Sequence, residues 1–129
     1  MSTSDMSEAI RAAAIGEIER RADGSVRQRY VFNADFPGFS GHFPGRPILP
    51  AVLQIMAANQ LVEAATEQRL LSAAIERAKF VQPIVPGAVV EITCRRLPGA
   101  ADLWEARIDS DSQAAASFYL TLRVPAAGA

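Results

Sequence analysis

Alternation of apolar and polar positions predicts a β-sheet in the second half of the chain. The alternation is clearest over residues 114–124, where every second side chain is apolar and the intervening ones are mostly polar. A strand with one apolar and one polar face is typical of an antiparallel sheet that covers a core on one side. We therefore predict that this strand packs inward through Ala116, Phe118, Leu120, Leu122 and Val124.

Shorter runs of the same period predict further strands, and polar turns separate them. The sequence Ala22-Asp23-Gly24-Ser25 is suited to a hairpin turn and should join the first two strands as an antiparallel pair. The predicted strands are residues 12–21, 26–32, 73–80, 88–97, 103–110 and 114–124.

One helix is predicted, over residues 51–68. Its first half is apolar on nearly every face and its second half gains charged residues, as expected for a helix that is buried at its start and emerges later. Pro50 suits the first turn of a helix, where a missing N–H costs nothing. The predicted fold class is α+β, a long antiparallel sheet wrapped around one central helix. The 129 residues should form a single domain, 1–129, with an N-terminal segment at 1–11 and a flexible tail at 125–129.

Composition and charge exclude several functions. A formal net charge of -1 with no basic run argues against binding to nucleic acid or to an anionic membrane. The helix is too polar and too short to span a membrane, and residues 1–11 lack the pattern of a secretory signal, so we expect a cytoplasmic protein. Cys94 alternates with apolar strand residues and should be a buried structural thiol. One histidine and one cysteine cannot assemble a metal site, and no cofactor is expected.

The only histidine, His42, lies in a turn that is rich in proline and glycine and directly precedes the helix. Such a turn restricts the backbone around the imidazole. Because a histidine titrates near neutral pH, this residue is the first candidate for proton transfer. Taken alone, the residue is equally suited to holding the loop through a hydrogen bond to a backbone carbonyl.

Two stretches of the chain resemble the β-hydroxyacyl-acyl-carrier-protein dehydratases of fatty acid synthesis, which have the hotdog fold. The first is Gly-His-Phe-Pro-Gly-Arg-Pro-Ile-Leu-Pro at 41–50, followed by Val52, Leu53 and Gln60. The second is Arg-Ala-Lys-Phe-Val-Gln-Pro-Ile-Val-Pro-Gly at 77–87. Since both occur in the family's order with matching elements between them, chance similarity is improbable.

The resemblance implies a function and a set of site residues. A hydro-lyase of this kind eliminates water from a 3-hydroxyacyl thioester, on acyl carrier protein or coenzyme A, to give a trans-2-enoyl thioester. His42 corresponds to the catalytic histidine, and the backbone N–H of Ala51 to the group that binds the thioester carbonyl. Phe43, Met56 and Gln60 would contact the substrate. The resemblance also implies a homodimer or higher oligomer, in which two sheets join edge to edge.

The sequence departs from the family at Met56, fourteen residues after the histidine, where these dehydratases carry a glutamate or aspartate. A thioether cannot donate a proton to a leaving hydroxyl. Three explanations remain open. His42 could carry both protons, with Asn59 or Gln60 holding a water; a related subunit could supply the carboxylate in a heterodimer; or the chain could bind or hydrolyse acyl thioesters. Asp35 is the nearby carboxylate to inspect first, and the alternative interpretation is a solvated loop residue.

Overall fold

The computed structural model describes residues 3–39 and 45–126, with side chains from residue 5 onward. His42 and Phe43, and the last part of the predicted tail, lie outside the described residues. In chain order the elements are α1 (Thr3–Ala12), β1 (Ala14–Arg20), β2 (Val26–Val31), a short 3₁₀ turn (Pro37–Phe39), α2 (Ala51–Thr66), β3 (Leu71–Phe80), β4 (Val89–Arg96), β5 (Leu103–Ser110) and β6 (Gln113–Arg123).

The six strands form one sheet in the order β1-β2-β4-β5-β6-β3, and each neighbouring pair is antiparallel. All six predicted strands are confirmed. The predicted hairpin between β1 and β2 is also present, and Gly24 takes a positive φ of 86° there. Asp23 stabilises this turn, because its Oδ1 accepts hydrogen bonds from the backbone N–H of Ser25 at 2.9 Å and from its hydroxyl at 2.6 Å.

The core lies between one face of the sheet and α2. The predicted inward positions of β6 are confirmed at Ala116, Phe118, Leu120 and Leu122, all buried. Val124 was predicted to face inward as well, and this is wrong, because it follows the end of β6 and is 61% exposed. From α2 the core receives Leu53, Ala57, Ala58, Leu61 and Val62. Cys94 and Trp104 are buried, as expected for structural residues.

The N-terminal segment contains a second helix that was not predicted. α1 packs on α2, and its Ile10 is fully buried. Partly buried Met6, Ala9 and Ala13 pack against the same core, so the apolar positions follow the helical spacing i, i+3, i+4 and i+7. The sequence contains this helical spacing of apolar residues. It was not recognised because the helix is short and polar residues lie between the apolar ones.

β3 is an edge strand, and all ten of its residues are exposed. It pairs only with β6 within the described chain, and its register shifts between Glu76 and Lys79, where Arg77 has a φ of 51°. Ile75 lies opposite the buried Leu120 and therefore on the inner face of the sheet, yet it is 45% exposed. Beyond Ser72, the inner face of β3 is thus largely uncovered within the described part of the chain.

Candidate functional site

The start of α2 offers two unpaired backbone donors. Pro50 caps the helix in an extended conformation, and its carbonyl accepts from the N–H groups of Leu53 at 3.1 Å and Gln54 at 3.2 Å. Among the described residues, the N–H groups of Ala51 and Val52 have no hydrogen-bond partner. Since the helix dipole places about half a positive charge at this end, the first turn of α2 can bind a carbonyl oxygen that gains negative charge.

Leu49 lies just before this helix, and both its backbone N–H and its backbone carbonyl are hydrogen-bonded. Its N–H donates to the Ile84 carbonyl at 2.8 Å, and its own carbonyl accepts from Nε2 of Gln54 at 3.1 Å. Leu49 and Ile84 are both buried. The two stretches that carry the family resemblance, 41–50 and 77–87, therefore meet through a backbone hydrogen bond at the start of α2.

Met56 is partly buried and packs against the hydrophobic core. Asn59, one turn later, donates from Nδ2 to the hydroxyl of Ser72 at 3.1 Å, which ties α2 to β3. Neither side chain titrates, so the position of the family's carboxylate carries no proton donor in this chain.

Gln60, a predicted substrate-binding residue, is engaged with α1. Its Nε2 donates to the Ser7 carbonyl at 2.8 Å. Gln60 also lines a cavity of about 410 Å³ with Tyr30 and Leu61, and Met56 is not among the residues that line it. Met56 and Gln60 are one turn apart on a similar face of α2. Because Nε2 of Gln60 is bound to Ser7, a substrate contact by Gln60 would fall to its Oε1.

The carboxylates near α2 have other partners or lie on the surface. Oε2 of Glu63 accepts from the backbone N–H of Leu70 at 2.8 Å and so holds the connection between α2 and β3. Asp35 is exposed at the edge of a cavity of about 690 Å³ that is also lined by Met6, Phe36, Phe39 and Pro47. Within residues 3–39 and 45–126, no group of three or more His, Cys, Asp or Glu side chains could hold a metal ion.

Burial removes two other titratable groups from consideration as proton donors or nucleophiles. Burial raises the pKa of the Tyr30 phenol well above its usual value, so the hydroxyl stays protonated. Burial likewise raises the pKa of Cys94 to about 12, so its thiol is not ionised near neutral pH.

The sequence analysis missed Gln54 as a residue of interest. Gln54 is only 5% exposed and lies within the buried stripe of α2, whose other members are apolar or alanine. A single amide among apolar helix positions could have drawn attention to Gln54 in the sequence, because a buried polar group requires hydrogen-bond partners.

Comparison with known proteins identifies the family. The sequence profile of the ApeI-like family, described as ApeI dehydratase, matches residues 18–118 of this chain. The chain belongs to the ApeI-like dehydratase family.

Two curated proteins with similar sequences are each named 3-hydroxyacyl-[acyl-carrier-protein] dehydratase FabZ. The protein from Granulibacter bethesdensis is 37% identical over 100 residues, covering 67% of this chain and 59% of the relative. The protein from Nitratidesulfovibrio vulgaris is 36% identical over 99 residues, covering 68% of this chain and 64% of the relative. The chain therefore spans about three fifths of the length of the curated relatives that it matches.

Solved structures confirm the hotdog fold. The dehydratase heterocomplex ApeI:P from Xenorhabdus doucetiae contains a chain that is 26% identical, with a TM-score of 0.75, and the match covers 84% of this chain and 95% of that one. A hypothetical thioesterase protein with coenzyme A from Streptococcus pneumoniae has a TM-score of 0.66 at 13% identity, with 96% of this chain and 97% of that one covered. At that identity the second similarity concerns the fold alone.

Proposed function

We propose that this protein is a 3-hydroxyacyl thioester dehydratase with His42 as its base. The observation that carries the proposal is the start of α2. Residues 41–50, which contain the only histidine, lead directly into a helix whose first two N–H groups have no hydrogen-bond partner among the described residues. Family membership and the FabZ relatives support the same reaction class.

The proposed reaction uses these groups in turn. The thioester carbonyl binds at the N–H of Ala51, where the helix dipole stabilises the charge of the developing enolate. His42 removes the proton at C2, the released electron pair forms the C2–C3 double bond, and the C3–O bond breaks. The hydroxyl leaves with one proton as water. The trans-2-enoyl thioester is the product.

The reaction also requires a proton for the leaving hydroxyl, and Met56 cannot supply it. In the first form of the proposal, imidazolium formed at His42 returns its proton to the hydroxyl, so one residue performs both transfers. In the second form, a related subunit supplies a carboxylate and the chain works as part of a heterodimer. The heterocomplex of the ApeI chain supports considering this second form.

The uncovered edge of the sheet supports assembly in either form. An edge strand of ten exposed residues with apolar side chains normally requires a cover. Ile75 and Phe80 of β3 are 45% and 41% exposed. We propose that β3 pairs with the same strand of a second hotdog subunit, in a homodimer or a heterodimer with a carboxylate-bearing paralogue.

The remaining parts of the proposal concern the substrate. Phe43, Met56 and Gln60 are proposed to contact the acyl group, which enters on acyl carrier protein or coenzyme A. The proposed location is the cytoplasm. Within the described residues, no helix combines the length and apolar character that crossing a bilayer requires.

A turnover assay tests the reaction class. Purified protein is incubated with a 3-hydroxyoctanoyl pantetheine thioester, and the products are separated and identified. The proposal expects slow formation of the 2-enoyl thioester. Release of free pantetheine thiol without enoyl product would instead indicate a thioesterase, the alternative activity, and would contradict dehydration.

Co-expression distinguishes the two forms of the proposal. If a paralogue with the helix carboxylate completes the site, the mixed complex should dehydrate at least about tenfold faster than either subunit alone, within the range that a positioned acid contributes. A rate equal to that of the faster component alone would exclude the heterodimer form and leave the single-histidine form.

A further inference from the structure

Gln54 combines three properties that neither the fold nor the proposed mechanism so far accounts for. Its side chain is 5% exposed, its Nε2 is bound to the Leu49 carbonyl at 3.1 Å, and its Oε1 is buried with no hydrogen-bond partner. A buried oxygen without a donor costs free energy, so native structures rarely keep one without a reason.

The orientation of this amide is determined by Leu49. A carbonyl oxygen can only accept, so the group within 3.1 Å of the Leu49 oxygen has to be the donor Nε2, and Oε1 must be the free atom. The oxygen therefore cannot be satisfied by rotating the amide by half a turn. Within the described residues, no group donates a hydrogen bond to it.

The amide lies beside the unpaired donors of α2. Side chains on a helix tilt toward its N-terminus, and the bond to Leu49, a residue that precedes the helix, draws the Gln54 amide to the level of the first turn. The unpaired N–H groups of Ala51 and Val52 are in that turn. One acceptor and two donors, without partners in residues 3–39 and 45–126, thus lie at the same end of α2.

This arrangement matches a ligand with a carbonyl and a nearby hydroxyl. Resting on the proposed function, we infer that Gln54 is a substrate-positioning residue whose Oε1 accepts a hydrogen bond from the C3 hydroxyl of a thioester bound at the first turn of α2. In a 3-hydroxyacyl thioester the hydroxyl lies two carbons from the carbonyl carbon, so both groups can be held at the same helix end. The oxygen is closed to solvent in the unliganded chain, so the hydroxyl has to enter the first turn to reach it.

The positioning has a chemical purpose. A hydroxyl that donates to Oε1 keeps its lone pairs directed away from the amide and free to accept a proton, which favours departure as water. The hydrogen bond also distinguishes substrates, because a saturated acyl thioester lacks the hydroxyl and leaves Oε1 unpaired.

The test compares two probes, 3-hydroxyoctanoyl and octanoyl pantetheine thioesters, on the whole chain. Initial dissociation constants are measured before turnover for the original protein, for Gln54→Met and for Gln28→Met. Gln28 is a matched control, because it is also a buried glutamine whose Nε2 donates to backbone carbonyls, those of Ile15 and Gly16 at 2.9 and 3.0 Å. Both substitutions remove an amide of similar burial.

We expect the original protein and Gln28→Met to bind the hydroxylated probe about three- to tenfold more tightly than the saturated one, the effect of one hydrogen bond. Gln54→Met should lose this preference while its affinity for the saturated probe stays the same. An unchanged preference in Gln54→Met would overturn the inference. A protein that dehydrates the probe but shows no preference in its original form would overturn it too, and leave the proposed function intact.

A second measurement does not depend on whether Gln54→Met folds. The side-chain amide of Gln54 is observed by nuclear magnetic resonance in the original protein with each probe. A hydrogen bond at Oε1 should shift the amide resonances with the hydroxylated probe and not with the saturated one. Equal shifts with both probes, or none with either, would show that the hydroxyl does not bind there, while turnover of the hydroxylated probe reports separately on the proposed function.

Discussion

The backbone N–H of Leu49 donates to the carbonyl of Ile84 at 2.8 Å, which fixes the entry to α2 against the connection between β3 and β4. These residues are 35 positions apart in the sequence (84 − 49) and both are buried. The start of α2, where the proposed carbonyl site lies, is therefore supported by a distant part of the chain.

Truncating Ile84 should weaken this support. Ile84 is fully buried, so Ile84→Ala should lower the free energy of unfolding by about 2–5 kcal/mol through lost burial and a residual cavity. Urea denaturation measures the change. The neighbouring Val85, which is 48% exposed, is the control, and Val85→Ala should change the stability by no more than about 0.5 kcal/mol. Equal losses in the two variants would contradict the packing described for this connection.

Installing a carboxylate at the helix position that lacks one should increase activity. Met56→Glu provides a proton donor where the dehydratase family carries it, and a positioned acid contributes about 10²- to 10⁴-fold. We expect a gain of at least about tenfold in kcat for dehydration, measured as enoyl product. Met56→Leu is the control and should show no gain, because it changes shape without adding an acid. Absence of a gain in Met56→Glu would indicate a different site geometry.

Charge on the inner face of β3 should prevent assembly. Ile75→Lys places an ammonium group at the edge where a second subunit is proposed to pair, and edge lysines oppose strand pairing. Sedimentation should show a dimer for the original protein and a monomer for this variant. Val124→Lys, at another exposed apolar residue outside the strands, should remain dimeric. A monomeric original protein, or a dimeric Ile75→Lys variant, would contradict pairing through β3.

The hairpin turn between β1 and β2 should make stability dependent on pH. Two hydrogen bonds from Ser25, followed by a smaller attraction from Arg21, lower the pKa of Asp23 in the folded chain. The resulting stabilisation is complete above the pKa of an unfolded aspartate, about 3.9, and is lost as the pH falls through the lower folded value. Asp23→Ala should therefore reduce Tm near neutral pH and converge with the original protein in acid.

Exposed Glu17 provides the matched control for this pH dependence. Thermal unfolding of Glu17→Ala should show a smaller difference in Tm from the original protein near neutral pH. A constant Tm difference for Asp23→Ala at every pH would contradict the assigned role of the carboxylate.

Much of this fold can be predicted from local patterns. Strand β5 was predicted with its observed bounds, and the other strands to within about two residues at each end, because alternation along a half-buried strand is visible in the sequence. The position of β3 beside β6, on the far edge of the sheet from β1, could not be predicted from periodicity. It depends on which strands pair over long sequence separations.

The sequence predicts individual residues of the candidate site but not the contacts between them. His42 and Met56 were identified from the motif and from its departure at one position. The contact from Gln60 to Ser7 required a helix, α1, that was not predicted. The free oxygen of Gln54 depends on the path of the backbone at Leu49, which residue types do not determine.

The most direct test of the central claim is the dehydration rate of His42→Ala with the 3-hydroxyoctanoyl thioester. Loss of a general base should reduce kcat by about 10²- to 10⁴-fold, while circular dichroism shows that the fold is kept. Arg46→Ala, at an exposed residue of the same sequence stretch, should keep kcat within a few fold. Enoyl product formed by His42→Ala at the rate of the original protein would contradict the account.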